Sequence, residues 1–268
     1  MNAAAKVINV ANFKGGVGKT TTTVLLSYLL AQRGERVLVL DLDPQANATD
    51  LLARTANLER LDTTLYQAMA DKNLTKAIVK IKENLDLLPS DLDLVAFPFL
   101  LNKEAKDDNY KRAYFVDFLL APLKSTYDYI FIDVPPTISD FTNNAVVSSD
   151  FVMIVMQTHE RSLSASEKFI PYLQDMIDNY HAKIDLIGIV PVLMKKDGTV
   201  DNFIISEAEK LFEEDLFKAH ISIRERIKRF DVNGITEEDH HDLKVLGMYN
   251  NVLDEMLMRI KKLEGVEV

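Results

Sequence analysis

The chain has 268 residues, 47% of them hydrophobic, and its 31 Lys+Arg against 41 Asp+Glu give a formal net charge of −10. That length supports one large α/β domain with a substantial core, and the acidic balance excludes a blanket polyanion binder, so any nucleic-acid contact must come from a local patch. Cysteine is absent, which excludes a disulfide framework, a thiolate metal site and a cysteine-ligated iron–sulfur cluster.

Strand-like apolar runs fall at residues 6–12, 36–42, 85–88, 128–133, 151–157 and 185–193. Helical patterns lie at 18–32, 110–123, 137–148, 162–180, 201–214 and 242–262. Such alternation builds βαβ units, and hence an α/β fold with a mostly parallel, twisted sheet covered by helices on both faces. With no internal repeat, low-complexity tract or Pro/Gly/Ser-rich linker, residues 1–268 read as a single domain. The stretch 51–109 yields little pattern beyond its one strand. The first strand starts near residue 6, so neither a signal peptide nor an N-terminal helix-turn-helix module is expected. No apolar run approaches the roughly 20 residues that span a bilayer. A soluble cytoplasmic protein is expected.

Between the first strand and first helix stands Lys14-Gly15-Gly16-Val17-Gly18-Lys19-Thr20-Thr21, three of the chain's nine glycines within four residues. Glycines let the backbone curl so that several N–H groups point at an anion, and the positive end of the next helix adds to the attraction. In a strand–turn–helix setting this is a nucleotide-phosphate loop, with Lys19 reaching the β- and γ-phosphates and the Thr20 hydroxyl ligating Mg²⁺.

The second strand ends Asp41-Leu42-Asp43-Pro44-Gln45. Residues i and i+2 share a face, so both aspartates leave the strand end on one side, and Pro44 stops the strand. In open parallel sheets, ligands collect at the carboxyl ends of strands, where the glycine loop also sits. Two acids there call for cations or Mg²⁺. A third, Asp133, closes the apolar run Tyr129-Ile130-Phe131-Ile132, the arrangement in which a carboxylate orients Mg²⁺ or its water shell.

Phe13 occupies the first glycine position of the usual G-x-x-x-x-G-K-[ST] pattern, and Lys14 stands at the loop's front. The loop therefore resembles the deviant Walker A signature K-G-G-x-G-K-[ST]. With Asp41-Leu42-Asp43-Pro44-Gln45-Ala46-Asn47-Ala48-Thr49 and the 127–136 stretch, the chain resembles the ParA/MinD superfamily of P-loop NTPases, the ParA branch most closely. Counting the element order, the likeness covers nearly the whole chain. The resemblance implies that Asp43 orients the attacking water and that Asp41 and Asp133 serve the metal's outer shell. Thr20 would ligate Mg²⁺, Thr21 would lie by the α-phosphate, and Lys14 would cross a dimer interface to the partner's nucleotide. Two positions depart from the family pattern: Phe13, where Gln or Gly is common, and Met156-Gln157-Thr158, where a proline often follows the fifth strand.

Residues 218–230 hold five Lys/Arg and one Glu, a local +4. As a helix over 222–230, Ile223, Ile227 and Phe230 would face the core at i, i+4, i+7, with Arg224, Arg226, Lys228 and Arg229 projecting outward for sequence-independent phosphate contact. An ordinary solvated face balanced by Glu213, Glu214 and Asp215 is the plainer alternative. The resemblance favours DNA, because ParA-like dimers bind it non-specifically through C-terminal basic residues. Thr236-Glu237-Glu238-Asp239-His240-His241-Asp242 reads as a helix start with Thr236 as N-cap rather than a metal cluster. The last helix, with Leu253, Met256, Leu257, Ile260 and Leu263 at helical spacing, reads as core and not as a membrane anchor.

The expectation is an ATP- and Mg²⁺-dependent partition ATPase: a sandwich homodimer that binds non-specific DNA on the nucleoid and hydrolyses ATP when stimulated by a ParB-like centromere-binding partner. The alternatives are a MinD-like membrane-positioning ATPase and a positioner of protein cargo.

Overall fold

The computed structural model describes residues 4–59, 61–195 and 198–266. The apolar runs become β1 (Lys6–Ala11), β2 (Val37–Asp41), β3 (Val79–Lys82), β4 (Leu85–Leu88), β5 (Tyr129–Asp133), β6 (Phe151–Gln157), β7 (Asp185–Met194) and β8 (Ile221–Ser222). They form one sheet in the order β3-β4-β2-β5-β1-β6-β7-β8. Every pairing is parallel except the β3–β4 hairpin at one edge. The central β1 lies between β5 and β6, so the chain leaves β1 where the strand order reverses and opens a crevice at the strands' carboxyl ends.

The helices are α1 (Lys19–Gln32), α2 (Asn47–Thr55), α3 (Leu65–Ala70), α4 (Phe97–Ala105), α5 (Asn109–Ala113) and α6 (Phe115–Leu120). Then come α7 (Asp140–Ser148), α8 (Glu160–Tyr180), α9 (Thr199–Phe212), α10 (Glu225–Asn233) and α11 (His240–Leu263). Strand side chains alternate between the faces. Ile8, Val39, Phe131 and Met153 pack with α1 and α11 on one face, while Val7, Leu38, Ile130 and Ile132 meet α3, α4 and α6 on the other. Farther along that second face, Val152, Ile154 and Ile189 meet α7, α8 and α9. Residues 22–31 of α1 are buried, as a helix that is apolar on most sides requires. It is sandwiched between sheet and α11.

All six expected strands form. The expected 110–123 helix divides into α5 and α6 because Asn144 intercepts the backbone at the break. Its Oδ1 accepts from Val116 N (3.1 Å) and its Nδ2 donates to Arg112 O (3.0 Å). The N-cap of α11 is Asp239, which accepts from His241 N and Asp242 N, and not Thr236. Thr236 instead donates its hydroxyl to Asp242 Oδ2 (2.8 Å), because the chain turns into the helix three residues later than the Thr-acid pattern suggested. Helices α2, α3 and α4 and the short strands β3 and β8 are additions to the sequence reading.

Candidate functional site

The glycine loop joins β1 to α1 in the crevice. Gly16 (φ 72°) and Gly18 (φ 85°) adopt the left-handed conformation that side chains disfavour, and Gly18 is the N-cap of α1. The loop is held from below by Asn12, whose Oδ1 accepts from Lys14 N (2.9 Å) and whose Nδ2 reaches Val155 O (2.8 Å) and Ser166 Oγ (3.0 Å). Phe13 anchors the loop's front on α8, its ring centroid 4.5 Å from Phe169 and 5.2 Å from Tyr172. That contact accounts for an aromatic residue at this position.

A cavity of about 660 Å³ opens beside the loop, within the size range of small-ligand sites. Gly15, Gly16, Gly18, Lys19, Thr20 and Thr21 line one wall and Asp43 another. Val17 is fully buried in the core, so only its backbone can serve a ligand. The two lysines diverge. Lys19 turns inward, nearly buried, with Nζ donating to Lys14 O (3.1 Å). Lys14 is not among the cavity's lining residues, and its Nζ lies 3.5 Å from Gln157 Oε1 at the end of β6.

The three aspartates meet at the ends of neighbouring strands, with Asp41 directly in register with Asp133. Asp41 is wholly buried; its Oδ2 accepts from Thr49 N and Thr49 Oγ1, both at 2.8 Å, and its Oδ1 from Asp43 N at 3.1 Å. Asp133, also wholly buried, accepts from Thr20 Oγ1 at 2.7 Å on Oδ2. Its Oδ1 has no hydrogen-bond partner among the described residues. Burial pushes the Asp41 carboxyl up to about 7, against the hydrogen bonds from Thr49. Burial, and then the charge of Asp41, raise Asp133 well above the usual carboxylate range. Burial lowers Lys19, while Asp133 and Asp43 draw it back up. Asp43 faces the cavity and accepts from Gln45 N (2.9 Å), and Ser90 Oγ clamps its main-chain O (2.7 Å). An unsatisfied buried carboxylate oxygen beside a threonine hydroxyl and a phosphate-shaped loop fits a divalent cation bound with a nucleotide.

The basic segment divides. Arg224 precedes α10 as its N-cap, and Arg224, Lys228 and Arg229 are exposed. Arg226 does not project outward as expected. It is tied to Asp239, and its Nε sits 3.0 Å from Asp242 Oδ1, an ion pair without hydrogen-bond geometry. Its side chain is 14% exposed because it fastens α10 to the start of α11. Ile223 lies outside the helix and is 44% exposed, so the buried stripe is Ile227 and Phe230. Lys228 lines the loop's cavity, whereas Arg224 and Arg229 line another of about 440 Å³ with His240, His241 and Lys244. The sequence reading missed Arg54, Tyr249 and Lys244 at these cavities. Ala48, Leu51 and Leu52 at helical spacing were the signal for α2, which carries Arg54.

The AAA domain family model matches residues 5–186. The sporulation initiation inhibitor protein Soj of Bacillus subtilis is 31% identical over 85% of this chain and 88% of its own length. The chromosome partitioning protein ParA of Caulobacter vibrioides is 29% identical, covering 83% of this chain and 82% of that protein. A solved structure of cobyrinic acid a,c-diamide synthase from Mycobacterium smegmatis with bound ADP and magnesium superimposes with a TM-score of 0.77 at 25% identity. It covers 96% of each chain. A parallel sheet with a glycine loop at its switch point and acids on the adjoining strands defines a P-loop NTPase. The chain belongs to the AAA domain family of ParA/MinD-type P-loop ATPases.

Proposed function

We propose that this single-domain chain is a partition ATPase that binds ATP with Mg²⁺, closes into a homodimer around two nucleotides and in that state binds DNA non-specifically. The observation that carries this reading is the divergence of the two loop lysines, Lys19 toward the chain's own cavity and Lys14 away from it. A cation presented at the rim of one subunit's loop suits a phosphate held by another subunit. The partition role draws on the likeness to ParA and Soj, and the cofactors on the ADP and magnesium of the M. smegmatis synthase.

In this reading the backbone of residues 15–18 cradles the phosphates, Lys19 meets their outer oxygens, and Thr21 lies near the α-phosphate. Thr20 and the Oδ1 of Asp133 would hold the metal and its water shell, and the cation would supply charge neutralisation on the phosphates. Asp41, saturated by Thr49 and the backbone of Asp43, fixes the geometry of the strand end. Asp43 orients the attacking water, and the partner subunit's lysine stabilises charge on the leaving phosphates. DNA phosphates meet the basic face at Arg224 and Arg229, with Arg226 holding α10 in place and Lys228 at the cavity side. Hydrolysis, stimulated by a ParB-like centromere-binding partner, would release the nucleoid DNA. Among the described residues no helix is long and apolar enough to cross a membrane, and no membrane partner is proposed.

The test compares binding to a random-sequence duplex in ATP analogue and in ADP. The reading expects tight binding with the analogue alone. Equal binding in both, or binding to anionic vesicles in place of DNA, would replace it.

A further inference from the structure

Helix α10 separates two cavities. At 100° per residue, Ile227, Lys228 and Asp231 fall on one side and Arg226 and Arg229 on the other. The first three line the nucleotide cavity, while Arg226 and Arg229 join Arg224 and Lys244 at the basic cavity. The helix is also clamped end-on to α2. Gly234, just past its C-terminus at φ 79°, packs so tightly that a Cβ there would sit 2.6 Å from Thr55 N. Ile235 N donates to Thr55 Oγ1 (2.9 Å), and the Arg54 guanidinium donates to Asp231 O. At its other end α2 holds Thr49, which makes two hydrogen bonds to Asp41 Oδ2. One continuous set of contacts therefore runs from the acidic strand end through α2 to α10.

Among the described residues, the one ion-pair partner of Lys228 is on its own helix, Glu225 Oε2 at 3.2 Å, and both side chains are over 70% exposed. Such a pair is weak and easily exchanged. Among the described residues, the polar link across the cavity to the inner edge of α10 is the Arg54 guanidinium on Asp231 O, near the helix's C-terminal end.

We propose that α10 couples the two sites, with Lys228 as the group that engages the bound nucleotide's phosphates and the Arg54–Thr55 clamp as the lever that sets Arg224 and Arg229 for DNA. The proposal rests on the reading above that the basic face takes DNA phosphates. A triphosphate at the loop gives Lys228 an anchor across the cavity. Fixing α10 in one position then lowers the ordering cost of presenting its outer arginines. Lys228 and Thr55 act as positioning residues for DNA. They need not touch it.

The test is duplex-DNA affinity by fluorescence anisotropy in a non-hydrolysable ATP analogue and in ADP, with analogue and ADP affinities measured with and without DNA. The wild-type chain should bind DNA roughly tenfold or more tighter with the analogue than with ADP, and by reciprocity DNA should raise the ratio of analogue affinity to ADP affinity by the same factor. Lys228→Gln should bring both factors to about one while leaving DNA affinity in ADP unchanged. Thr55→Val should lower both factors and Thr55→Ser should restore them, which a loss of folding would not reproduce. The proposal is overturned if Lys228→Gln weakens DNA binding equally in both states and reduces the salt slope by about one, since Lys228 is then a direct phosphate contact. That outcome leaves the DNA reading standing. Undiminished DNA binding by Arg224→Ala/Arg229→Ala removes the DNA reading itself, and the proposal with it.

Discussion

The nucleotide edge and the basic face carry charge in opposite ways. At the nucleotide edge, Lys19, Asp41 and Asp133 are buried. Each is held by backbone or by a neighbouring side chain, and an unsatisfied oxygen remains where a cation fits. At the basic face, Arg224 and Arg229 stand in solvent, while Arg226 between them is spent on α11. Burial makes the first region strict, since a charge out of water must be met by a fixed partner. Exposure makes the second permissive, and four similar residues stand in three different surroundings. Charge alone is a weak guide to function until its partners are known.

The largest effect should come from the strict region. Asp43→Ala is expected to slow hydrolysis about a hundredfold or more while ATP analogue binding persists. Loss of nucleotide binding in a titration would instead make Asp43 a binding residue and blur the contrast. Next comes Arg226→Ala, which leaves the nearly buried Asp242 without its cation. A destabilisation of about 3 kcal/mol, seen as a lower Tm, is expected, whereas an unchanged Tm with weaker DNA binding would return Arg226 to the DNA-contacting set.

Arg224→Ala/Arg229→Ala should weaken DNA binding by about 2 kcal/mol, roughly thirtyfold, at moderate salt and reduce the salt slope by about two. ATPase turnover without DNA should not change, because neither side chain reaches the loop's cavity. A pH dependence of stability also belongs to the strict region. Asp41 and Asp133 hold protons to higher pH in the folded chain than in the unfolded one. Between about pH 4 and 7 the folded state therefore binds more protons, and stability falls as pH rises, by up to about 1.4 kcal/mol per unit for one such group. Melting without nucleotide should show this decline, and Asp133→Asn should flatten it. An identical slope in the variant would place the titration elsewhere.

Much of the strict region was legible in the sequence, because backbone demands leave marks. Glycines recur where φ must be positive, and an apolar run ending in Asp places a carboxylate at a strand's end. The permissive region was legible only as a density of charge. Nothing in residues 218–230 announces that Arg226 pairs with Asp239 and Asp242 of the next helix, since long-range partners leave no local period. For the same reason Thr236 passed for an N-cap: the pattern was present, but Asp239 offers its carboxylate to two backbone N–H groups and wins. Helix α2 went unread although it joins the two regions, because it is only nine residues long and lies in a stretch of mixed signals.

The central claim, that Lys14 completes a site on another subunit, is tested by mixing two inactive variants. In a heterodimer of Lys14→Ala with Asp43→Ala, the site holding an intact Asp43 receives the partner's intact Lys14. Random pairing should then restore about a quarter of the wild-type ATPase rate. If Lys14 serves its own nucleotide, every site in the mixture lacks one of the two groups, and the measured rate will stay at that of the variants alone.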